Sequence, residues 1–369
     1  NFMIPEHQAG PGGQMPYFHD NPEPGEIRNM TYSAVARGCD SILYFRWRTC
    51  RFGAEEYWCG IIDHDNVPRR RYQEFVQIGN EMKKVGKEIL GTSVFIDCAV
   101  ASGDFDACYS HATYPLGLPD TGWMGGVAHK MLYKSGYAVG CVHPEDDLSG
   151  IKLYIVPNWA LFNPEYVPNL ERFVKNGGTL VISARTATRD VNNCIVPETL
   201  PGCLRGLAGV SVEEYGRLNS PAQRPFDLSF KGRKIKAEIW YEILNLEDAT
   251  ALASWSGRHL DGKPAISIRR LGKGNVIYAG MYLTENILKV LMPEFVKIAG
   301  LKPVWPSAPK GVETVVRCKG RKKIWFFINH RDGKNVLKKT PAGENLITGA
   351  KNSGKEIVLD RYGVAVIRE

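Results

Sequence analysis

Between residues 93 and 299, short apolar runs alternate with stretches of helical spacing, and this constrains the fold more than any other feature of the chain. The runs are SVFID (93–97), YAVGCV (137–142), LYIVP (153–157), TLVIS (179–183) and NVIYAG (275–280). Helical patterns occupy 126–135, 164–175 and 286–299, the second closed by Asn176-Gly177-Gly178. Runs of five or six residues are too short for buried helices. Separated by helices, they call for a parallel sheet covered on both faces. The interval 225–270 breaks the alternation with β-prone pieces (DLSF, EIWYEIL, AISIRR) and reads as an interruption of that sheet.

The segment before it has a different texture. Asn1-Phe2-Met3-Ile4 reads as the end of a buried strand that Pro5 stops, leaving Glu6 at its carboxyl end before the glycine-rich stretch 9–13. Residues 7–25 carry four Gly and four Pro and read as loop. A helix is expected over 26–37, with Ile27, Met30 and Ala34 inward and Gly38 as its stop. The continuous apolar reading of 41–45 suits a parallel strand buried on both faces. A loop rich in Trp, Tyr, Arg and Glu follows. A long helix over 72–90 then places Phe75, Ile78, Met82, Val85 and Ile89 inward, and Gly91 ends it. A carboxylate on the loop after a strand is where a (β/α)8 barrel puts its chemistry. The segment therefore reads as the last two strands of such a barrel, the first six lying outside this chain. After Pro303 the short strands ETVVRC, KIWFFIN, ENLITG, EIVL and GVAVIRE predict a small antiparallel β-sandwich. The expected domains are 1–91, 92–303 and 304–369.

Composition narrows the function classes. Lys and Arg exceed Asp and Glu by 47 − 39 = 8, with local runs only at 68–71 and 319–323, which read as solvated surface and not as a nucleic-acid patch. No apolar run approaches the ~20 residues that span a bilayer. The nine cysteines include no C-x-x-C pair and read mostly as free, buried thiols, which favours a reducing, cytoplasmic compartment. Asp63-His64-Asp65 reads as a turn cap in preference to a metal site. Cys98 and Cys203 lack the G-x-C-x-G setting of a nucleophile elbow, and Gly272-Lys273-Gly274 lacks phosphate-loop spacing. No cofactor and no metal are implied.

With these segments laid out, the chain resembles glycoside hydrolase family 42, the bacterial β-galactosidases. PEHQAGPGG around Glu6 resembles the family's nucleophile motif. YFRWR (44–48) and GAEEYW…DHD (53–65) are similar to its final barrel strand and following loop. DLSGIKLYIVP, FVKNGGTLV and GKGNVIYAG resemble its second, flavodoxin/amidotransferase-like α/β domain, and GVETVVR…WFFINH…VLDRYGVAVI its small carboxyl-terminal β domain.

The resemblance implies a retaining β-galactosidase-like enzyme acting on terminal β-galactosides or a related sugar, with Glu6 as nucleophile and the acid/base Glu outside this chain. A retaining pair of carboxyl groups stands about 5–5.5 Å apart. It places Gln14, Trp47, Glu55 and Trp58 at the sugar. Glu55 suits hydroxyls because a carboxylate accepts charge-assisted bonds. The family has His where Trp58 stands and Trp where Gln14 stands. Trp58 can stack and donate but cannot accept, and these two departures from the pattern count against strict galactose specificity. Arg46 either orients the nucleophile or makes a structural ion pair. Assembly as a homotrimer through 92–303 is also implied. The alternative is a catalytically inactive assembly or carbohydrate-binding fragment.

Overall fold

The computed structural model describes residues 2–14, 16–110, 116–218 and 226–369, giving the backbone alone for Gln14, Tyr17 and Phe18. The chain divides into two compact units, Asn1–Phe95 with Val304–Glu369, and Ile96–Pro303.

Ile96–Pro303 is built on a nine-stranded mixed sheet. Its parallel part runs in the order Val139–Val142, Cys98–Ala101, Leu153–Val156, Thr179–Ser183, Gly274–Ala279. Side chains alternate across it with the period of a strand. Leu153 and Ile155 join a core with helices Thr121–Lys134 and Glu285–Ile298. Tyr154 and Val156 join the opposite core with helix Val167–Lys175. The β-prone interval does not interrupt this sheet but extends it. Pro264–Leu271, Thr250–Ser256, Asp227–Phe230 and Arg233–Lys236 add antiparallel strands beyond Gly274–Ala279. Trp240–Leu246 pairs separately with Val210–Arg217. The expected strand over SVFID is also corrected. Ser93–Val94 pairs with Val312–Lys319 in the other unit, and the first strand of the large sheet is the small-residue run Cys98–Ala101.

Glu242 is buried in this unit. Its carboxylate accepts from Arg185 N–H (3.0 Å), Trp240 Nε1 (3.2 Å) and the Tyr278 hydroxyl (2.8 Å). Burial raises its pKa above the ordinary carboxylate value, and these donors oppose the rise only in part. A raised folded-state pKa means the native state holds the proton more tightly. That contribution is complete below the unfolded-state value and is lost as pH rises through the folded one. Glu242→Gln is therefore expected to flatten the fall of stability with pH above the ordinary carboxylate range, read from urea midpoints across pH. An unchanged slope would contradict this.

In the other unit, Phe2–Gln8 and Cys39–Phe45 form a two-stranded parallel sheet joined by helix Glu26–Ala36. Pro5 does not end the first strand. The register steps from Ile4↔Ile42 to His7↔Tyr44, so Pro5 and Glu6 sit in a bulge, where a residue without an N–H is tolerated. Residues 7–25 are not all loop either, since Gly12–Gln14 and Tyr17–His19 form a hairpin. Neither strand is buried on both faces: Phe2, Met3 and Leu43 are about half exposed, at 47%, 53% and 48%. A six-stranded sheet, ordered Lys351–Asn352, Gly343–Asn345, Val364–Arg368, Lys322–Asn329, Val312–Lys319, Ser93–Val94, completes the unit. One face packs Ile324, Phe326 and Val366 on Tyr32, Val35, Val85 and Ile89 of the helices Glu26–Ala36 and Arg70–Ile89. The other packs Phe327 and Ile367 on the ribbon Asn335–Lys338/Glu356–Leu359. The first and last segments of the chain thus share one core.

Candidate active site

The position of Glu6 follows from its neighbours. Tyr44 turns toward the helices, where its hydroxyl meets Thr31 Oγ1 at 2.6 Å and its ring meets Phe75 at 4.7 Å. His7 packs edge-on against Tyr44 at 5.5 Å and so lies on that side too. Leu43 and Phe45 alternate with Tyr44 onto the opposite face, and the bulge sets Glu6 opposite Leu43. Phe45 there meets Trp58 edge-on, with ring centroids 5.9 Å apart. Glu6 is exposed, and among the described residues no hydrogen bond or ion pair reaches its carboxylate.

Two loops are stitched together beyond this face. Gly13 N–H donates to Tyr57 O (3.0 Å), Cys59 N–H donates to Pro11 O (3.1 Å), and Gly12 bridges Trp58. Gly12 has φ +90°, and a Cβ there would stand 1.8 Å from Tyr57 O. No side chain fits. Gly12→Val is expected to pull the two loops apart and to cost about 2 kcal/mol or more through strain and lost backbone bonds, measured as a lower melting temperature. A melt unchanged from the parent would contradict the stitched geometry.

The loop after Phe45 carries the remaining candidates. Glu55 is 44% exposed at its side chain and ion-pairs through Oε2 with Arg46 Nη2. Arg46 therefore pairs with Glu55, and among the described residues it makes no hydrogen bond or ion pair with Glu6. Its guanidinium carbon lies 4.2 Å from the centroid of the Phe45 ring. Trp58 N–H donates to Glu55 O at 3.0 Å, closing the turn that sets the two residues side by side. Trp47 is 61% exposed and meets Tyr72 edge-on at 6.1 Å. The Gln14 backbone lies in the hairpin, and its side chain falls outside the described residues. Two contacts had no sequence signal. They are the Arg46–Glu55 pair and His19, whose ring stands 6.5 Å from Trp58.

The arginine run is not merely solvated surface. Arg71 and Arg69 both pair with Asp63, Arg69 also holds Asp65 at 2.5 Å, and Arg70 reaches Glu74 at 3.6 Å. Arg69 beside Asp65 holds that carboxyl well below the usual carboxylate range. His64 contacts Glu56 O at 2.7 Å, so the Asp-His-Asp turn is committed to the loop itself. Among the described residues no cluster of three His, Cys, Asp or Glu side chains is arranged to hold a metal. Among the described residues, no helix is long and apolar enough to cross a membrane. None of the nine cysteines forms a disulfide, but only Cys39 and Cys98 are buried, and Cys141, Cys194 and Cys203 are exposed.

Three models of one family match along the chain: "Beta-galactosidase" over residues 1–85, "Beta-galactosidase trimerisation domain" over 128–302 and "Beta-galactosidase C-terminal domain" over 311–369. The chain is 28% identical over 370 residues to β-galactosidase BgaA of Clostridium cellulovorans, covering 100% of this chain and 55% of that protein. It is 30% identical over 351 residues to β-galactosidase BgaB of a Geobacillus species, covering 94% and 52%. Among solved structures it resembles the β-galactosidase of Bacillus circulans sp. alkalophilus, with TM-score 0.91, 24% identity and coverage of 100% and 55%. It also resembles that of Halorubrum lacusprofundi, with TM-score 0.82, 25% identity and coverage of 100% and 53%. The chain spans about half the length of the curated relatives it matches. With three successive parts of one family's proteins matched in order along its length, the chain belongs to glycoside hydrolase family 42.

Proposed function

We propose that this chain is the carboxyl-terminal portion of a retaining, β-galactosidase-like glycoside hydrolase, with Glu6 as its nucleophile. The observation that supports the reading is the exposed Glu6 in the bulge opposite Leu43, on a strand paired to the one whose Phe45 meets Trp58. Beyond these strands, the loop following Glu6 is bonded to the loop holding Glu55 and Trp58. In the double displacement, the Glu6 carboxylate attacks the anomeric carbon while a second carboxyl group protonates the leaving oxygen. The second group then takes a proton from the water that releases the sugar. That second group lies outside this chain. Glu55 accepts from sugar hydroxyls, Trp58 and Trp47 offer aromatic faces, and Gln14 contributes from the hairpin.

Residues 1–91 then form the end of a (β/α)8 barrel. The half-exposed Phe2, Met3 and Leu43 support this, because parallel strands normally have both faces covered. Ile96–Pro303 forms an amidotransferase-like trimerisation domain. Its parallel strands follow the order 2-1-3-4-5 of flavodoxin-like sheets, counting along the chain from Cys98–Ala101. Residues 304–369 are the small β domain. The same exposed faces favour a second reading of the chain taken alone, as an assembly piece that does not turn over.

The test is an assay on a nitrophenyl β-galactoside. The chain alone is expected to give no turnover, and the full-length protein to release the β-anomer first, followed by NMR. Release of the α-anomer, or full-rate turnover by the chain alone, would overturn the reading. The full-length protein is expected to sediment as a trimer at micromolar concentration, and monomers alone would count against trimer assembly.

A further inference from the structure

We infer that Arg46 is the positioning residue of Glu55, deciding which carboxylate oxygen faces the sugar. This rests on the reading of Glu55 as a sugar ligand. Arg46 is held from several sides. Its guanidinium lies over the Phe45 ring at 4.2 Å. Its carbonyl accepts from Ile61 N–H at 2.7 Å and abuts Gly60, where a Cβ would stand 2.4 Å from that oxygen. The next carbonyl, of Trp47, accepts from Ile62 N–H at 2.9 Å. Both ends of the loop bearing Glu55 and Trp58 are thereby tied to the residues that end the strand.

The pairing uses a single point. Arg46 donates through Nη2 to Glu55 Oε2, while its Nε–H is buried and has no hydrogen-bond partner among the described residues. A side-on bidentate pair would engage Nε and Nη2 together and occupy both carboxylate oxygens. With Nε idle, Oε1 of the half-exposed Glu55 stays free to accept a hydroxyl. Stacking on Phe45 keeps the guanidinium from turning to take it. Arg46 touches no substrate in this arrangement. It works by keeping Glu55 aimed and half-engaged.

The test is a double-mutant cycle in the full-length protein, reading KM and kcat on an aryl β-galactoside. Glu55→Gln is expected to raise KM on the order of 10-fold or more, the effect of losing a charged acceptor. Arg46→Gln is expected to raise KM comparably, with kcat changed less. Arg46→Gln combined with Glu55→Gln should be no worse than Glu55→Gln alone. Additive effects would overturn the inference while leaving Glu55 as a sugar ligand. An unchanged KM in Glu55→Gln would overturn both. If Arg46→Gln does not fold, the cycle is read on Arg46→Lys, where a smaller rise is expected and should again vanish over Glu55→Gln.

Discussion

Glu6→Gln in the full-length protein is expected to lower turnover of an aryl β-galactoside on the order of 10⁴-fold, with little change in KM. The amide keeps the shape of the carboxylate but cannot form the glycosyl ester on which the double displacement depends. The fold should not suffer. Glu6 is exposed in a bulge and has no hydrogen-bond or ion-pair partner among the described residues, so the melting temperature is expected to stay within a degree or so of the parent. Glu6→Ala opens room beside the anomeric carbon, so added azide should restore part of the turnover and give a product of inverted configuration. A Glu6→Gln enzyme of parental activity would remove Glu6 from the chemistry. A large drop in melting temperature would instead assign it a structural role.

Arg317→Met is expected to destabilise its unit by about 3 kcal/mol. Arg317 is fully buried and ties three parts of the unit together. It donates to Thr92 Oγ1 (2.9 Å), Thr92 O (3.1 Å) and Val35 O (2.6 Å), and stands 3.6 Å from Asp40. Burial pushes its pKa down while Asp40 pulls the other way, but a guanidinium stays charged at any ordinary pH. Met fills much of the volume and supplies none of the donors: Thr92 O loses its bond from Arg317, while Val35 O keeps only Gly38 N–H (3.2 Å) and the Thr92 hydroxyl keeps only Ile89 O (2.6 Å). Arg317→Lys should recover little, because one ammonium cannot reach all three acceptors. A urea midpoint that shifts by less than the equivalent of about 0.5 kcal/mol would show that water takes over these bonds.

The parallel part of the large sheet was legible in the sequence because strands buried on both faces read as unbroken apolar runs, as in Leu153–Val156 and Thr179–Ser183. Cys98–Ala101 was missed for the complementary reason. Its small residues give a weak signal beside the louder Val94-Phe95-Ile96, whose members divide between the two units. Pro5 misled because its missing N–H normally ends a ladder, whereas here a bulge absorbs it. The Gly12–His19 hairpin has strands of three residues, too short for any period to register. At the candidate site, Glu6 and the Glu55–Trp58 spacing could be read from their motifs. The partner of Arg46 could not, since nothing in a nonperiodic loop distinguishes Glu55 from Glu6 as the carboxylate it takes. The basic run 68–71 gave no hint of its pairing with Asp63 and Asp65, which depends on how the turn folds back.

The most direct measurement is covalent trapping of the full-length protein with a 2-deoxy-2-fluoro-galactosyl fluoride, followed by peptide mass mapping. If Glu6 attacks the anomeric carbon, a single fluorogalactosyl increment appears on the peptide that contains it, and inactivation tracks its formation. An increment on a different carboxylate, or an inactivated enzyme in which Glu6 stays unmodified, would contradict the account.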